Sequence, residues 1–407
     1  MISNNRRNLA ALCLERAKAP PLESHLYTGQ TRRNPQFLDL LAPHFQNTEI
    51  LRIYDASTIR DLSVFSRHPM INLRSLALSN EVERDWNRSI DPFESSTYTL
   101  RYLELVQAPL FPSFLDLKTL TGLNFWNSRC NIHLDTLLDF LEENRSLMSV
   151  KLNIRFIKPS LRSSWRRAPI QNRLQYLRIS GDNAKDGQAL ISGIALSKSA
   201  ELELDYEYSG ARVGVGAILS GISTTHLLNL SSPTSMRYHV RPRIIELRGP
   251  NGTVSFYGNL DPDIPFVEFP LLPLATIRQF HLDACGWYPG QPSPGPVAFH
   301  ISSFTALETF VAYDINSSDL LSALLSNPSA PPSLKTLAFW NCFLSEEFMR
   351  ALTRFASDHK NTTSARLQRV VIIHWGGMFP TIASIRKLEE HVPLVDVRTD
   401  TKLPTDV

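Results

Sequence analysis

The sequence predicts an α/β solenoid, in which short parallel strands alternate with helices, on three observations. The first is a strand-like motif, L-x-x-L-x-L, that recurs along the 407 residues. The second is the spacing, because most successive copies lie 25 to 27 residues apart. The third is that segments between copies carry apolar residues at helical spacing. A unit this short cannot bury its apolar face alone, so we expect the copies to stack side by side.

The segment Leu334–Leu344 is the best preserved copy of the motif. It reads LKTLAFWNCFL, in which two of the spaced apolar residues are two positions apart and therefore share one face of a strand. A second full match is Ile277–Trp287, where Cys285 occupies the position that Cys342 holds in the first. The signature and the period are typical of leucine-rich repeats, whose units span about 20 to 29 residues.

Thirteen segments carry the strand part of the motif, and the second apolar residue of each serves as its marker. The markers are Leu51, Leu76, Leu103, Leu123, Val150, Leu177, Leu202, Leu228, Phe280, Phe310, Leu337, Val370 and Val395. This pattern predicts parallel strands on a concave face of the solenoid and helices on the convex face.

The segments between the markers predict helices. In Leu134–Leu141 the apolar residues recur at i, i+3, i+4 and i+7. The run Ser317-Ser318-Asp319 supplies an N-cap ahead of a helix that carries Leu320, Leu321, Leu324 and Leu325. Ser345 caps a further helix, which carries Phe348, Met349, Leu352 and Phe355. Residues Phe37–Leu41 predict a helix before the first marked strand.

The step from Leu228 to Phe280 is about twice the usual length and contains an exception to the repeat. Residues 244–257 predict a β-hairpin around the turn Gly249–Gly252, which replaces or decorates one repeat. The Pro-rich stretch Gly286–Pro296 predicts a loop, because its prolines cannot support a helix.

We divide the chain into an N-terminal lead-in segment, residues 1–34, and a leucine-rich-repeat domain, residues 35–407, with the hairpin insertion near 240–260. A (β/α)₈ barrel is the rival fold, but it needs only about eight units in roughly 250 residues. A propeller needs four strands in each repeat of about 40 residues, which the helical segments exclude.

Composition narrows the classes of function. The net charge of +3 is too small for a chain of this length to indicate nucleic acid or a membrane surface as partner. The four cysteines are far apart and form no C-x-x-C pair, which fits a reducing compartment. We expect no secretion signal and no membrane span, and hence a cytoplasmic or nuclear protein.

No catalytic, cofactor or metal motif emerges, so we expect a binding protein that is not an enzyme. The glycines of Gly210–Gly221 depart from the dinucleotide-loop spacing, and we interpret them as the start of a helix. His281 and Cys285 lack two further metal ligands at fixed spacing. His374 lacks a triad-like context, and the basic cluster Arg162–Arg167 is interpreted as a solvated loop. Cys285 is interpreted, like Cys342, as a structural residue of the repeat.

The candidate functional residues are those that alternate with the buried positions of the strands and face the concave surface. Aromatic residues and arginine on such a face are typical of protein-binding hot spots. The predicted partner-binding residues are Tyr102, Glu104, Trp126, Tyr176, Arg178, His281, Tyr313, Lys335, Trp340 and Arg369. For the two tryptophans, which hold equivalent positions in NFWN and AFWN, packing against a neighbouring repeat is the alternative.

Two N-terminal stretches carry a resemblance to a known family. Leu12–Leu26, with Glu15, Arg16 and a Pro-Pro-Leu run, is followed by Phe37–His44. They resemble the segment that follows the F-box in the F-box/leucine-rich-repeat proteins of mushroom-forming fungi, and the cysteine-containing repeats are similar to those of F-box proteins.

The resemblance implies that the chain recognises a protein substrate as part of a ubiquitin ligase adaptor. The helical F-box itself, about 45 residues that usually begin with Leu-Pro, is missing from this sequence. The linker subunit of the ligase is therefore an expected partner only if an F-box lies upstream. The alternative is a stand-alone leucine-rich-repeat scaffold with no link to a ubiquitin ligase.

Overall fold

The computed structural model describes residues 22–27, 41–54, 63–79, 93, 99–108, 112–126, 133–153, 170–171, 173–181, 184–197, 199–206, 232–239, 244–250, 252–258, 272–283, 304–315, 331–342, 344–362, 366–373 and 380–398. The chain forms two compact units. The first comprises Met1–Gly181 and Lys185–Ser197, and the second comprises Asp182–Ala184 and Lys198–Val407. Each unit is an α/β, solenoid-like stack of strands in a mostly parallel sheet.

Seven described strands of the first unit form a parallel sheet, in which each strand pairs with the strands of the preceding and the following repeat. They are β1 (Leu22–Tyr27), β2 (Thr48–Tyr54), β3 (Ser75–Ser79), β4 (Tyr102–Val106), β5 (Gly122–Trp126), β6 (Ser149–Asn153) and β8 (Tyr176–Ser180). Two shorter strands, β7 (Ile170–Gln171) and β9 (Ile194–Ala195), pair with each other in parallel. The helices are α1 (Ser63–Arg67), α2 (Pro112–Leu115), α3 (Leu134–Glu143) and α4 (Ala184–Ser192), with a 3₁₀ helix at Ala42–Asn47.

The predicted markers of the first unit lie in register. Each of Leu51, Leu76, Leu103, Leu123, Val150 and Leu177 is the Cα partner of the next one in the sheet. All six side chains are at most 3% exposed, so they form one buried row. The strand repeat and the helix predicted over Leu134–Leu141 are therefore confirmed here. Strand β1, which lies within the stretch assigned to the lead-in segment, also belongs to this sheet.

A row of stacked phenylalanines forms a second buried line in the core of the first unit. Phe45, Phe65, Phe93 and Phe114 each contribute one ring, and successive ring centroids are 5.4, 5.5 and 5.8 Å apart. All four rings are at most 1% exposed. Each successive repeat therefore contributes one aromatic ring, and the stacked rings connect the cores of neighbouring repeats within the first unit.

Hydroxyl side chains join successive repeats at the residue before the motif. Thr99 donates to the carbonyl of Leu73 at 2.9 Å, and Thr119 donates to that of Leu100 at 2.7 Å. Ser146 continues the series with a 2.8 Å bond to the carbonyl of Leu120. These bonds satisfy backbone carbonyls that the strands leave without a partner at that end of the sheet.

The described residues of the second unit form nine strands in the order β10-β13-β12-β11-β14-β15-β16-β17-β18. They are β10 (Glu201–Tyr206), β11 (Ser235–His239), β12 (Ile244–Gly249), β13 (Gly252–Gly258), β14 (Gln279–Asp283), β15 (Thr309–Tyr313), β16 (Thr336–Trp340), β17 (Arg369–Ile373) and β18 (Leu394–Arg398). The helices are α5 (Glu346–Thr362) and α6 (Ile382–Glu389), with a 3₁₀ helix at Leu274–Thr276.

The hairpin predicted in the long step is present as β12 and β13, which pair antiparallel up to Gly249 and Gly252. Strand β11, which the motif series does not contain, also pairs antiparallel with β12. Both β11 and β13 are parallel to their outer neighbours, β14 and β10. Because β12 is antiparallel to both of its neighbours, β11 and β13 run in the same direction as the strands outside the insertion. Among the described strands of this unit, β12 alone runs in the opposite direction.

The markers of the remaining repeats are again successive Cα partners: Phe280, Phe310, Leu337, Val370 and Val395. Helix α5 covers this part of the core, with the ring of Phe348 packed edge-on against Phe339 at 5.1 Å. The hydroxyl of Ser345 accepts a 3.1 Å bond from the amide of Phe348, which confirms the predicted N-cap.

Several predicted features lie outside the described residues. They are the marker Leu228, the helices at 37–40 and 318–325, the loop Gly286–Pro296, the segments Gly210–Gly221 and Arg162–Arg167, and residues Cys285 and His374. Within the described ranges, no helix is both long and apolar enough to cross a membrane.

Candidate functional site

Each sheet has an outer face, formed by the strand residues that alternate with the buried markers. On β4 and β5 of the first unit, for example, Leu103 and Leu123 are buried while their neighbours Glu104 and Asn124 are partly exposed. The predicted binding residues lie at or next to these alternating positions, five in the first unit and five in the second.

In the first unit the outer face brings Tyr102 and Glu104 on β4 next to β5. The side-chain amide of Asn124 donates to Glu104 Oε1 at 3.1 Å. The ring of Tyr102 lies over Gly122, where an added Cβ would come within 2.6 Å of Tyr102 Cδ2. Burial raises the pKa of Tyr102, and the charge of Glu104 adds to this shift. The ring is thus fixed partly by the missing side chain of its neighbour.

Two cation–π contacts connect the other predicted residues of the first unit. The guanidinium carbon of Arg178 lies 5.3 Å from the ring centroid of Trp126, and Lys151 Nζ lies 5.6 Å from that of Tyr176. Trp126 is partly buried, so it combines packing within the sheet with an accessible edge. Both cations lie within about 6 Å of a ring centroid, the range in which cation–π attraction is effective.

In the second unit three predicted residues form a continuous stack of rings on β14, β15 and β16. The rings of His281 and Tyr313 are stacked with centroids 6.0 Å apart, and those of Tyr313 and Trp340 are stacked at 5.5 Å. The hydroxyl of Tyr313 lies 3.5 Å from His281 Nδ1. All three side chains are partly exposed, so their rings contribute to the surface as well as to packing.

Beneath these rings lies an apolar layer that also belongs to the outer face. Val311, Ala338, Val371 and Ile373 are at most 5% exposed, and Tyr313 and Trp340 pack against them. We refer to these residues, together with His281 of β14 and Arg237 of the neighbouring strand β11, as the aromatic surface.

Arg237, which the sequence reasoning missed, completes the stack. Its guanidinium carbon lies 5.6 Å from the ring centroid of Tyr313, and its Nη2 donates to Asp283 Oδ2 at 3.1 Å. His239 Nδ1 lies 3.1 Å from the same carboxylate oxygen. Arg237 was missed because β11 carries no L-x-x-L-x-L motif, although the alternation of polar and apolar residues in Ser235–His239 could have indicated a strand.

Ion pairs flank the aromatic surface on both sides. Toward β12, Arg248 donates to Glu246 Oε2 at 2.8 Å. Toward the last strand, the predicted residue Arg369 reaches Asp396 at 3.4 Å, and Arg398 reaches it at 2.6 Å. The arrangement is therefore an apolar and aromatic centre between two rows of paired charges.

Lys335, the tenth predicted residue, has a different place. It precedes β16, and its Nζ lies 3.2 Å from Glu308 Oε2, the residue that precedes β15. Its backbone amide donates to the carbonyl of Glu308 at 2.8 Å. Lys335 therefore lies at the end of the sheet where the strands begin, in a row with Glu308, and not among the stacked rings.

The surroundings keep His281 uncharged at neutral pH. Burial lowers the pKa of His281 to about 4, and the positive charges of Arg237 and Arg248 act in the same direction. Burial raises the pKa of Tyr313, so its hydroxyl is also neutral. The exposed part of the stack therefore consists of neutral rings beside the arginine.

Cys342 is a structural residue, as the motif predicts. Its thiol donates to the carbonyls of Ala312 and Trp340, each at 3.4 Å. Burial raises the pKa of Cys342 to about 12, so the reactive thiolate is not formed at neutral pH.

Among the described residues, no group of three or more His, Cys, Asp or Glu side chains could hold a metal ion.

Comparisons with known proteins give no family. No family model matches the chain, and no curated protein sequence matches it.

Proposed function

We propose that this protein recognises other proteins through the aromatic surface of its second unit, and that its repeats are leucine-rich repeats. The observation that carries the proposal is the stack of Arg237, Tyr313 and Trp340 on the sheet face that points away from the helices. These rings are not needed to fill the main core, which the residues on the opposite face of the same strands already form.

The composition of the aromatic surface favours a protein as the ligand. Tyrosine, tryptophan and arginine dominate binding hot spots because they bury a large area with few rotatable bonds to order. Protein interfaces also combine an apolar centre with a polar rim. The paired charges at Arg248 and Asp396 correspond to such a rim, and Trp340 with Tyr313 to the centre.

The leucine-rich repeat assignment is supported by the turn that follows the strands. Asp314 and Asn341 both have left-handed backbone conformations, with φ of 50° and 49°. Their amides donate to the last carbonyl of the next strand, at 2.9 and 2.8 Å. The side chain of Asn341 donates to that of Asp314. This bonded turn and the thiol of Cys342 repeat the polar ladder that the Asn/Cys position of the signature implies.

The resemblance of the N-terminal stretches to F-box/leucine-rich-repeat proteins extends the proposal to a substrate-binding part of a ubiquitin ligase adaptor. This extension rests on the resemblance alone. Joined to an F-box, the chain should promote ubiquitination of a captured partner in a reconstituted ligase. The same fusion carrying Trp340→Ala should not.

The recognition itself is tested by affinity capture and mass spectrometry with paired variants. Arg237→Ala/Trp340→Ala removes the two ends of the stack. Ile382→Ser is the control, because this side chain is 72% exposed on α6 and lies outside the aromatic surface. We expect the wild type and the control to capture the same proteins, and the double variant to lose them. A partner retained by the double variant with undiminished affinity would exclude the aromatic surface as its binding site.

A further inference from the structure

Helices α5 and α6 of the second unit form a groove on the opposite side of the sheet from the aromatic surface. The groove has a volume of about 380 Å³ and is open to solvent. Met349 of α5 also lines the groove, and this side chain is anchored in the core because the residue is only 1% exposed.

The two helices that line the groove are joined by hydrogen bonds to Glu346. The hydroxyl of Ser384 donates to Glu346 Oε2 at 2.6 Å, and the amide of Thr381 donates to Glu346 Oε1 at 3.4 Å. The bond from Ser384 lowers the pKa of Glu346, so this carboxylate is ionised and engaged with the start of α6.

The walls of the groove carry more positive than negative charge. Arg350 and Arg354 of α5 and Lys387 of α6 line it together with His391, against the carboxylates of Glu346 and Asp358. Arg354 and Asp358 form an ion pair at 3.9 Å with side chains 86% and 68% exposed. Such a pair is weak because water competes for both ends.

Two of the cations have no ion pair with any residue that the structure describes. Arg350 Nε donates to the backbone carbonyl of Glu346 at 3.4 Å, and the charge of Arg350 contributes to the lowered pKa of the Glu346 carboxyl without a direct ion pair. Lys387 has no acidic side chain within ion-pair distance among the described residues. They project into the same groove from two different helices. An anionic group in the groove would contact Arg350 and Lys387 at the same time. Neither helix alone carries both of these cations.

We propose that the groove between α5 and α6 binds an acidic segment of a protein partner, whose carboxylates pair with Arg350 and Lys387. Arg354 exchanges its weak intrahelical pair for the ligand, and His391 lines the far wall of the groove. The site is separate from the aromatic surface and does not depend on it, since the buried face of α5 and the sheet lie between them.

The test uses a fluorescein-labelled hexaglutamate peptide and fluorescence anisotropy, at low salt where exposed charges are least screened. Arg350→Gln/Lys387→Gln should weaken binding about tenfold, because two charge contacts are lost. The control Arg278→Gln/Arg386→Gln removes the same charge at two exposed positions that do not line the groove. It should bind the peptide as the wild type does, and Trp340→Ala should also leave binding unchanged.

The proposal would be overturned by equal weakening in both double variants, by equal binding of a hexaglutamine peptide, or by no measurable binding to the wild type. Tighter binding of a phosphoserine peptide than of hexaglutamate would also contradict it, because the site would then select phosphate. Urea unfolding midpoints of both double variants should match that of the wild type, which separates loss of binding from loss of folding.

Discussion

The guanidinium of Arg237 lies over the ring of Tyr313 although their strands, β11 and β15, are not neighbours. Strand β14 runs between them and supplies Asp283, whose carboxylate accepts a 3.1 Å bond from the guanidinium. The same carboxylate lies 3.1 Å from His239 Nδ1, so it contacts two side chains of β11. The position of the arginine over the ring, with its Cζ at 5.6 Å from the centroid, therefore depends on a residue that is not itself in the stack.

Replacing Asp283 should loosen this part of the aromatic surface. We expect Asp283→Asn to lower the free energy of unfolding by about 1 kcal/mol, because a partly buried charged hydrogen bond is lost. Capture of partners by the aromatic surface should weaken in parallel. Urea unfolding measures the first effect. Asp358→Asn, at a pair whose side chains are 68% and 86% exposed, is the control and should change stability by less than about 0.5 kcal/mol.

Gly122 should control the position of Tyr102. In Gly122→Ala the new Cβ would meet the Tyr102 ring at 2.6 Å, and the ring, already 37% exposed, should swing outward. Because burial is the main cause of the raised pKa of Tyr102, the displaced hydroxyl should titrate closer to its ordinary value of 10.0. Ultraviolet titration of the wild type and the variant measures this shift. Ser149→Ala, at the equivalent position of β6, is the control and should leave the titration unchanged.

The strands that carry the motif could be predicted because one physical constraint acts on them all. Leu51 through Leu177 in the first unit, and Phe280 through Val370 in the second, each present an apolar side chain to the buried row of their own unit, and this requirement sets the spacing of the motif in the sequence. The register followed directly, since each marker pairs with the next. The same alternation placed Tyr313 and Trp340 on the outer face, but it did not predict that their rings stack across β15 and β16.

Contacts that cross the insertion could not be predicted in this way. Strand β11 has Met236 and Tyr238 at its buried positions in place of leucine, so it does not match the motif. For this reason the motif did not identify Arg237 as a strand residue. The reversed order of β11, β12 and β13 in the sheet depends on which edge the hairpin joins, and local sequence does not specify that choice. The groove between α5 and α6 likewise depends on helix packing that no periodicity contains.

Protonation of His281 should destabilise the fold in acid. Its folded pKa, about 4, is below its ordinary value of 6.5, so the native state favours the neutral ring. The stabilising contribution is therefore complete above about pH 6.5 and is lost as the pH falls toward 4. In His281→Gln, stability measured by urea unfolding should fall less over this interval. His68→Gln, at an exposed position, should keep the slope of the wild type.

Cys342 should be inert in the folded protein. Its thiol is 2% exposed, and its pKa is raised to about 12, so little thiolate is present and reagents have no access. In a variant with Cys13, Cys130 and Cys285 replaced by serine, a maleimide reagent should label Cys342 only after denaturant is added. Rapid labelling under native conditions would show that the thiol is accessible and would contradict its structural role.

The buried row of markers should dominate stability, and Leu337 provides the sharpest test. It is 2% exposed and is the Cα partner of Phe310 on one side and Val370 on the other, so its side chain joins two neighbouring repeats. We expect Leu337→Ala to cost about 2 to 5 kcal/mol, since the cavity lies between strands that cannot collapse independently. Leu394→Ala removes the same atoms at a position 51% exposed on the last strand and should cost less than about 0.5 kcal/mol. Similar urea midpoints for the two variants would mean that the repeats do not share a continuous core.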